Sequence, residues 1–216
     1  MILRKIMNPS IINGIYAITP DWMNTDLLIK KTEEVLTAGV DVIQYRNKIA
    51  TNDLKLSQAK EIKALCNNHK TPLIINDDVD LCRILNADGI HLGENDCTID
   101  EVRNKLGDQV IVGISCYSNL SRVQKMLTTD CNYIAVGACY PTTTKPDAPQ
   151  ASKSFISHVL KITTKPVVAI GGINLDNCES LLKLGVNSVA MINSIFYAED
   201  VKHTINQFRA LASKYD

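Results

Sequence analysis

Short apolar runs alternate with amphipathic segments of helical length along almost the whole chain, and this alternation limits the folds that the chain can adopt. Runs that are apolar on both faces are typical of strands buried in a parallel sheet, and intervening helices are typical of repeated βα units. The sequence contains eight such units. The predicted strands span residues 15–19, 40–45, 72–76, 89–92, 110–115, 133–137, 166–170 and 188–192, and the predicted helices span residues 26–38, 52–68, 79–86, 99–106, 119–127, 153–160, 175–184 and 201–214.

Eight consecutive βα units predict an α/β protein with a single (β/α)8 TIM barrel, spanning residues 1–216 with residues 1–13 as an N-terminal extension. The 216 residues fall slightly below the roughly 250 residues of a typical barrel. A doubly wound open sheet is the alternative architecture. Helix-to-strand junctions at residues 38–41, 86–89 and 184–187 carry Gly or Asn, which can end a helix in the left-handed conformation.

Acidic and basic residues balance, because Lys plus Arg and Asp plus Glu each number 23. A neutral chain lacks the basic field that would attract nucleic acid or an anionic membrane. The expected partners are therefore small molecules.

The seven cysteines form no recognisable framework, since their number is odd and no two stand in a Cys-x-x-Cys pair. Neither a disulfide scaffold nor a zinc site is predicted. The N-terminal segment lacks an apolar core of signal-peptide length, and no run of about 18 uncharged apolar residues occurs. These features favour a cytoplasmic protein over a secreted or membrane-inserted one.

Several predicted strands end in groups that bind phosphate. Residues 141–145 read Pro-Thr-Thr-Thr-Lys and follow strand 6, so three hydroxyls and an ammonium lie at one strand end. Gln44, Arg46 and Lys48 follow strand 2 at intervals of two residues, which points their side chains to one side of an extended chain. Arg46 and Lys48 alone would also fit a solvated rim. A barrel, however, brings the carboxyl ends of all its strands together.

The loops after strands 7 and 8 form the common phosphate site of such barrels. Here they contain Gly171 and Gly172 after strand 7, and Ile192, Asn193 and Ser194 at the end of strand 8. Glycine lets phosphate oxygens approach backbone N–H groups, and a helix beginning near Asn174 would add the positive end of its dipole. A tight βα turn is the simpler interpretation of the two glycines.

Acidic residues follow predicted strands 3 and 4. Asp77 and Asp78 close strand 3, and Asp96 lies in the loop after strand 4. Neighbouring strands would bring these loops together, and carboxylates beside phosphate ligands are typical of a Mg²⁺ site. Helix N-capping is the alternative role for each carboxylate. His91 is interpreted as a packed or rim residue, and no catalytic role is assigned to it.

The cation and carboxylate cluster at strands 2 to 4 is separate from the cradle at strands 7 and 8, which indicates two phosphorylated substrates. If the metal-bound substrate is a diphosphate, neutralisation of its charge makes pyrophosphate a good leaving group. The second substrate can then be the nucleophile. Such a site works by orientation more than by a covalent intermediate.

At these residues the chain closely resembles the thiamine phosphate synthase family, over about residues 16–208. The family joins a hydroxymethylpyrimidine diphosphate to a thiazole phosphate and releases pyrophosphate. The matching motifs are Tyr16-Ala17-Ile18-Thr19, Gln44-Tyr45-Arg46-Asn47-Lys48, Ile75-Asn76-Asp77, Gly89-Ile90-His91-Leu92-Gly93, Asp96, Gly113-Ile114-Ser115, Pro141-Thr142-Thr143-Thr144-Lys145, Ala169-Ile170-Gly171-Gly172-Ile173 and Met191-Ile192-Asn193.

The resemblance implies a role for each of these positions. It implies Mg²⁺ as the cofactor and a transferase reaction in which pyrophosphate leaves first and the thiazole nitrogen captures the pyrimidine cation. It also suggests a possible homo-oligomer. The residues that would hold the pyrimidine diphosphate are Gln44, Arg46, Lys48, Asn76, Ser115 and Lys145, and the catalytic ones among them would be Arg46, Lys48, Ser115 and Lys145. Asp77 and Asp96 would bind Mg²⁺. The residues that would hold the thiazole phosphate are Thr142, Thr144, Gly172, Ile192 and Asn193.

Some positions depart from the family pattern. Glu94 stands where Gln is common, and Asn193 replaces a serine in the strand 8 loop. Cys116 and Tyr117 replace the usual Ala-His after the serine of strand 5. None of these changes removes an expected metal ligand or cation. Asn193 can still offer its backbone N–H and side-chain amide to phosphate.

Two other functions are alternatives. The related thiazole tautomerases share the barrel and the phosphate cradle, but they are expected to use a histidine in the strand 5 loop, where this chain has Cys116 and Tyr117. A non-catalytic phosphate-binding barrel would have no need for a complete set of diphosphate and metal ligands.

Overall fold

The structure is a computed structural model, and it describes residues 12–142 and 149–215. Eight parallel strands form one closed barrel in sequence order. The last strand pairs with the first, with Gly14 opposite Ser188, so the open-sheet alternative was wrong. The strands are β1 (Gly14–Ile18), β2 (Val42–Tyr45), β3 (Leu73–Asn76), β4 (Gly89–Leu92), β5 (Ile111–Tyr117), β6 (Tyr133–Val136), β7 (Val167–Ile170) and β8 (Ser188–Met191).

Helices cover the outside of the barrel and follow the strands in the predicted order. Their bounds are α1 (Thr25–Thr37), α2 (Asn52–His69), α3 (Val79–Leu85), α4 (Ile99–Leu106), α5 (Leu120–Leu127), α6 (Lys153–Ile162), α7 (Glu179–Leu182), α8 (Asn193–Phe196) and α9 (Val201–Ala212). Two differences from the sequence prediction concern the site. Helix α7 is shorter than residues 175–184, and the short helix α8 directly after β8 was not predicted.

Four hydrogen bonds at the amino ends of the strands tie each odd-numbered strand to the next even-numbered one, and we call them the register bonds. The residue just before each even-numbered strand is Asp or Asn, and its side-chain oxygen accepts a backbone N–H of the preceding strand. The register bonds run from Ile15 N to Asp41 Oδ2 (2.8 Å), Leu73 N to Asp88 Oδ2 (2.9 Å), Val112 N to Asn132 Oδ1 (2.7 Å) and Val167 N to Asn187 Oδ1 (2.8 Å).

The register bonds account for the repeated junctions seen in the sequence. A left-handed residue lies between the helix and the strand at three of these junctions, namely Gly39 (φ 89°), Asn86 (φ 46°) and Gly185 (φ 90°), which confirms the predicted left-handed conformation there. The Asp or Asn of the register bond lies two residues after each left-handed residue, directly before the strand. Cations support two of the carboxylates: Lys63 Nζ lies 2.7 Å from Asp88 Oδ2, and Arg209 Nη2 lies 3.0 Å from Asp41 Oδ1.

Alternate strand residues face the interior of the barrel or the surrounding helices. The interior cluster contains two tyrosines, Tyr16 and Tyr133, whose rings meet edge to face at 6.1 Å. Ile12 packs into the same cluster from the residues before β1. The division of the chain into an extension at residues 1–13 and a barrel remains a prediction, because residues 1–11 lie outside the described ranges. The larger cluster lies between the strands and the helices.

All seven cysteines are free thiols, as the sequence analysis expected. Within residues 12–142 and 149–215, no helix has the length and apolar character needed to cross a bilayer.

We expect Asp88→Ala to lower the free energy of unfolding by roughly 2–3 kcal/mol, because Leu73 N loses its acceptor and Lys63 loses its partner. Asp88→Asn keeps an oxygen for Leu73 N and should lose less than half as much. Urea denaturation of both variants measures the difference. Equal losses would mean that the register bond at Asp88 contributes nothing beyond the ion pair.

Candidate active site

A cavity of about 510 Å³ opens at the carboxyl ends of the strands. It contains eight residues that the sequence analysis assigned to the site: Gln44, Arg46, Asn76, Ser115, Thr142, Gly172, Ile192 and Asn193. Lys48, Asp77 and Asp96 are not among its lining residues and lie instead in the loops that follow β2, β3 and β4. Thr144 and Lys145 lie outside the described residues.

The polar residues at the end of β2 and just after it divide between the cavity and its rim. Gln44 is buried, and the Arg46 side chain is 12% exposed, whereas the Lys48 side chain is 49% exposed. Strand β2 ends at Tyr45, so the chain is no longer held in the sheet at Lys48. Gln44 and Arg46 therefore share the wall of the cavity, whereas Lys48 lies at its rim.

Asp21 organises this segment and was missed by the sequence analysis. Its Oδ2 lies 2.7 Å from Arg46 Nη1, and its Oδ1 accepts the backbone N–H of Lys48 at 2.7 Å. The Thr19 side chain adds a second brace, because Oγ1 both accepts from Arg46 N and donates to Arg46 O at 2.8 Å. A carboxylate in the loop after a strand gives only a weak signal in sequence, since the fold alone brings it beside Arg46.

Helix capping explains neither of the two predicted metal ligands. Asp78, not Asp77, caps α3, with its Oδ1 accepting from Leu81 N at 2.8 Å. Thr98, not Asp96, caps α4 through a reciprocal capping box with Glu101. Asp77 and Asp96 are thus left for another role.

The two carboxylates form one acidic pair beside Lys48. Asp77 takes the left-handed conformation (φ 62°), and its Oδ2 lies 3.0 Å from Lys48 Nζ and 2.7 Å from the amide nitrogen of Asn76. Asp96 accepts the backbone N–H of Gly93 at 2.6 Å. Burial and the neighbouring Asp77 raise the pKa of Asp96, because two carboxylates in contact resist joint ionisation. Such a pair offers hard oxygen ligands to a divalent cation.

A chain of hydrogen bonds crosses the floor of the cavity and joins side chains from five strands. Gln44 Nε2 donates to Tyr16 Oη (2.9 Å), which lies 2.8 Å from Tyr133 Oη. His91 continues the chain, with Nδ1 at 2.9 Å from Tyr133 Oη and Nε2 at 2.9 Å from Ser115 Oγ. We call these five residues the relay. His91 is packed, as expected, but it also lines the cavity and contacts Ser115, which is predicted to bind the diphosphate substrate.

Gly113 makes room for the relay. A Cβ atom at Gly113 would overlap the Tyr133 ring carbons and hydroxyl. The Tyr133 ring in turn stacks on His91, with centroids 5.6 Å apart. A strand glycine often marks such a close approach, so Gly113 was a signal for a large interior neighbour.

The loop after β7 is shaped by two glycines with positive φ, Gly171 (101°) and Gly172 (63°). A Cβ atom at Gly172 would overlap the carbonyl oxygen of Pro141, which precedes Thr142. Tyr140 N donates to Gly171 O at 3.0 Å, so the loops after β6 and β7 are tied together. This backbone lies against the cavity beside Ile192 and Asn193.

The predicted helix start near Asn174 was wrong. The Asn174 side chain accepts from Asp176 N at 3.0 Å and its carbonyl accepts from Cys178 N at 3.0 Å, which forms a turn before α7. Regular helix begins only at Glu179, so no α7 dipole acts at Gly172. The Asn177 side chain instead fixes the loop by donating to Gly172 O at 2.9 Å.

Cys116 and Tyr117, which depart from the family pattern at the end of β5, make different contacts. Cys116 is buried among the apolar residues outside the barrel, and burial raises the pKa of its thiol to about 12. Tyr117 lines the cavity and its hydroxyl accepts from Glu94 N at 3.3 Å. Arg122 supports this corner by donating to the carbonyls of Ser115 (2.7 Å) and Gly93 (3.0 Å). Tyr117 therefore contacts the loop that carries Asp96.

Comparison with known proteins agrees with the resemblance. The family model described as thiamine monophosphate synthase matches residues 15–195. The thiamine-phosphate synthase of Methylobacillus flagellatus is 42% identical over 200 residues, covering 93% of this chain and 95% of that protein. The thiamine-phosphate synthase of Nitrosomonas eutropha is also 42% identical and covers 93% and 94%. The thiamine phosphate pyrophosphorylase structure from Pyrococcus furiosus superimposes with a TM-score of 0.85 at 28% identity, covering 96% of this chain and 99% of that one.

We expect Gly113→Ala to lower the free energy of unfolding by about 1–3 kcal/mol, because the new methyl group displaces the Tyr133 ring. Adding Tyr133→Leu removes the overlap and should recover part of this loss. Urea denaturation of both single variants and the double variant gives the coupling between the two positions. Additive losses would contradict the packing of Tyr133 over Gly113.

Proposed function

The chain belongs to the thiamine monophosphate synthase family, and on that premise we propose that its barrel mouth joins hydroxymethylpyrimidine diphosphate to thiazole phosphate. The enzyme is a transferase, and its products are thiamine phosphate and pyrophosphate. The observation that supports this function best is the arrangement of groups at the barrel mouth. Cations and carboxylates lie after β2, β3 and β4 on one side, and the glycine backbone of the β7 loop lies against the cavity on the other.

Cations and neutral donors serve the diphosphate. Arg46 can fork two phosphate oxygens, and Asp21 already holds its guanidinium in one orientation. Lys48 supplies a point charge from the rim, and Asn76 and Ser115 add neutral donors at the cavity wall. Lys145 is assigned to the same substrate by the family motif alone. Gln44, at the floor of the cavity, is assigned to the pyrimidine ring.

Mg²⁺ is the proposed cofactor, with Asp77 and Asp96 as its protein ligands. The donor set fits this ion, since Mg²⁺ commonly keeps several waters and binds one or two carboxylates together with substrate phosphate. When bound, the ion would neutralise the charge that develops on the leaving pyrophosphate. Lys48, which pairs with Asp77 at 3.0 Å, can then turn to the diphosphate.

The thiazole phosphate is assigned to the other side of the mouth. Gly172 has no side chain, so phosphate oxygens can approach its backbone, and its positive φ orients that backbone. Thr142 adds a hydroxyl, and Ile192 and Asn193 bring the start of α8 to the same wall. Thr144 is assigned here by the family motif alone.

The reaction exchanges one bond for another without a proton transfer. The bond between the pyrimidine methylene carbon and the diphosphate oxygen breaks, and its electron pair leaves with pyrophosphate. The thiazole nitrogen then gives its lone pair to the methylene carbon and becomes the cationic thiazolium nitrogen. The protein has to orient both substrates and stabilise the separated charges, which is the role that preorganised donors perform.

The tautomerase and the non-catalytic barrel gain no support. The strand 5 loop has Tyr117 where a tautomerase is expected to have histidine, and Tyr117 contacts the loop of Asp96. A cytoplasmic location is proposed because all seven cysteines are free thiols. The proposed partners are the two small substrates and, in a homo-oligomer, further copies of this chain, with neither nucleic acid nor a membrane.

The test of the function is pyrophosphate release from the purified protein with both substrates and Mg²⁺, leaving out each component in turn. We expect release only when all three are present, with an equal amount of thiamine phosphate formed. Binding of thiazole phosphate without release under any condition would overturn the proposal.

We expect Asp96→Asn to lower kcat/KM roughly tenfold or more, because it removes a charged metal ligand. Without Mg²⁺ the same variant should be more stable than the wild type at neutral pH. The pKa of Asp96 is raised in the folded state, so its contribution to stability is present at low pH and is lost as the pH rises through that pKa. Asparagine avoids this loss.

Thermal unfolding between pH 3.5 and 8 measures this effect. The gain in Tm from Asp96→Asn should appear on the neutral side and vanish on the acid side, where Asp96 is protonated. Asp108→Asn, at an exposed position, is the control and should show no such trend. A full rate for Asp96→Asn at ordinary Mg²⁺ would contradict the metal assignment.

We expect Gly172→Ala to raise KM for thiazole phosphate several-fold more than KM for the diphosphate substrate. The methyl group would overlap the carbonyl oxygen of Pro141 and move the backbone assigned to the phosphate. Gly185→Ala is the matched control, because Gly185 also has a positive φ (90°) but no atom within 4 Å of the new Cβ. Steady-state kinetics with each substrate varied in turn measures both KM values. An equal rise in both would argue against separate binding sides for the two substrates.

A further inference from the structure

The relay is a continuous line of four hydrogen bonds through the interior of the barrel. Its five members come from β1, β2, β4, β5 and β6, and the two tyrosines at its centre are fully buried. Each of the four hydrogen bonds lies between 2.8 and 2.9 Å. All five members line the cavity, and Gln44 and Ser115 form the two ends of the relay. The relay therefore connects two separate points on the wall of the cavity.

The number of hydrogens restricts the direction of the bonds. A tyrosine hydroxyl has one hydrogen, and neutral imidazole has one N–H, so each central member can donate once along the relay. Burial raises the pKa of both Tyr16 and Tyr133, which keeps both hydroxyls protonated. The direction of the bonds is set from the Ser115 end. If Ser115 Oγ accepts from His91 Nε2–H, His91 Nδ1 carries no hydrogen and has to accept from Tyr133. Tyr133 then has to accept from Tyr16, and Tyr16 from Gln44.

The Ser115 end is the end that a diphosphate would fix. Arg122 links the carbonyl of Ser115 to that of Gly93, whose N–H holds the Asp96 carboxylate. Ser115 is thus tied to the acidic pair and faces the charged side of the mouth. A phosphate oxygen accepts hydrogen bonds only, so the Ser115 hydroxyl has to donate its hydrogen to it. Ser115 Oγ then has to accept from His91.

We propose that the relay positions and polarises the two ends of the pyrimidine substrate, with every donor pointing from Gln44 towards Ser115. In this arrangement His91 is the neutral Nε2–H tautomer, Tyr133 donates to His91 Nδ1, and Tyr16 donates to Tyr133. Gln44 donates to Tyr16 through Nε2 and presents its amide oxygen to the cavity. This inference rests on the proposed function, since it assigns Gln44 to the aminopyrimidine and Ser115 to the diphosphate.

The polarity matches the charges of the bond-breaking step. As the carbon–oxygen bond breaks, negative charge develops on pyrophosphate, and positive charge spreads over the pyrimidine ring and its amino group. The Ser115 hydroxyl donates to the negative end, and the Gln44 oxygen accepts from the amino N–H at the positive end. Aligned hydrogen bonds in a low-dielectric interior strengthen each other. Tyr16, Tyr133 and His91 act as positioning residues, and no proton leaves them.

The tautomer of His91 gives a test that needs no turnover. The protein is labelled with ¹⁵N-histidine and saturated with Mg²⁺ and inorganic pyrophosphate at pH 8, where free imidazole is neutral. His91→Gln assigns the His91 signals among the four histidines. Two-bond ¹⁵N–¹H correlations should show a protonated Nε2 and an unprotonated Nδ1. An Nδ1–H tautomer, or an equal mixture of the two, overturns the proposal.

Tyr133→Phe tests the effect on the reaction, because it removes the central hydroxyl and keeps the ring. We expect kcat to fall about tenfold or more, while KM for each substrate stays within about threefold, since the polarity acts on charges that develop in the transition state. Tyr45→Phe is the control, because its buried hydroxyl donates to Gln58 on the outer side of the barrel, at 3.0 Å. That variant should keep its kcat within about twofold.

The two readouts separate failure of the relay from failure of the proposed function. If the wild type forms thiamine phosphate and Tyr133→Phe retains its kcat within twofold, the proposed function stands and the proposed role of the relay is overturned. A protein without synthase activity overturns the function and, with it, the assignment of the relay to the pyrimidine substrate. If Tyr133→Phe does not fold, the His91 tautomer in the wild type still tests the proposed direction of the hydrogen bonds.

Discussion

The register bonds at the amino ends of the strands are the constraint on which the rest of the structure depends. Successive residues of a strand face opposite sides, so a shift of one residue would turn every interior side chain outward. By fixing each odd strand against the next even one, the register bonds keep Tyr16 and Gln44 facing the barrel interior, with Tyr16 opposite Val42 and Ile18 opposite Gln44. They lie at the face of the barrel opposite the cavity, which separates stability from function along each strand.

The interior of the barrel combines close packing with a complete polar network. Tyr16 and Tyr133 supply much of its volume, and their hydroxyls would be costly to bury without partners. No buried side-chain nitrogen or oxygen among the described residues lacks a hydrogen bond. Gly113 gives Tyr133 its space, and Tyr133 gives His91 a stacking surface and a hydrogen bond. The floor of the cavity is therefore fixed by the same residues that fill the barrel.

Sequence patterns were sufficient for the eight strands, because each is a continuous apolar run bounded by turn residues. They were also sufficient for the cavity residues Gln44, Arg46 and Asn76, which directly follow or end such runs. They failed where side-chain hydrogen bonds compete with helix formation, as at Asn174, and where a turn of helix is too short for periodicity, as at α8. Asp21 and the relay were missed because their partners are distant in sequence.

The acidic pair and its cations indicate how a ligand would enter on the proposed assignment. Asp21, Asp77 and Asp96 lie with Arg46 and Lys48 in a nearly balanced cluster, in which both cations have carboxylate partners. Pyrophosphate alone would bring negative charge to these carboxylates, and Mg²⁺ alone would compete with Lys48 for Asp77. A diphosphate with Mg²⁺ avoids both costs, because the ion takes the carboxylates while Lys48 turns to the phosphate. On the proposed assignment, the charge arrangement would therefore favour the metal–diphosphate complex over either ion separately.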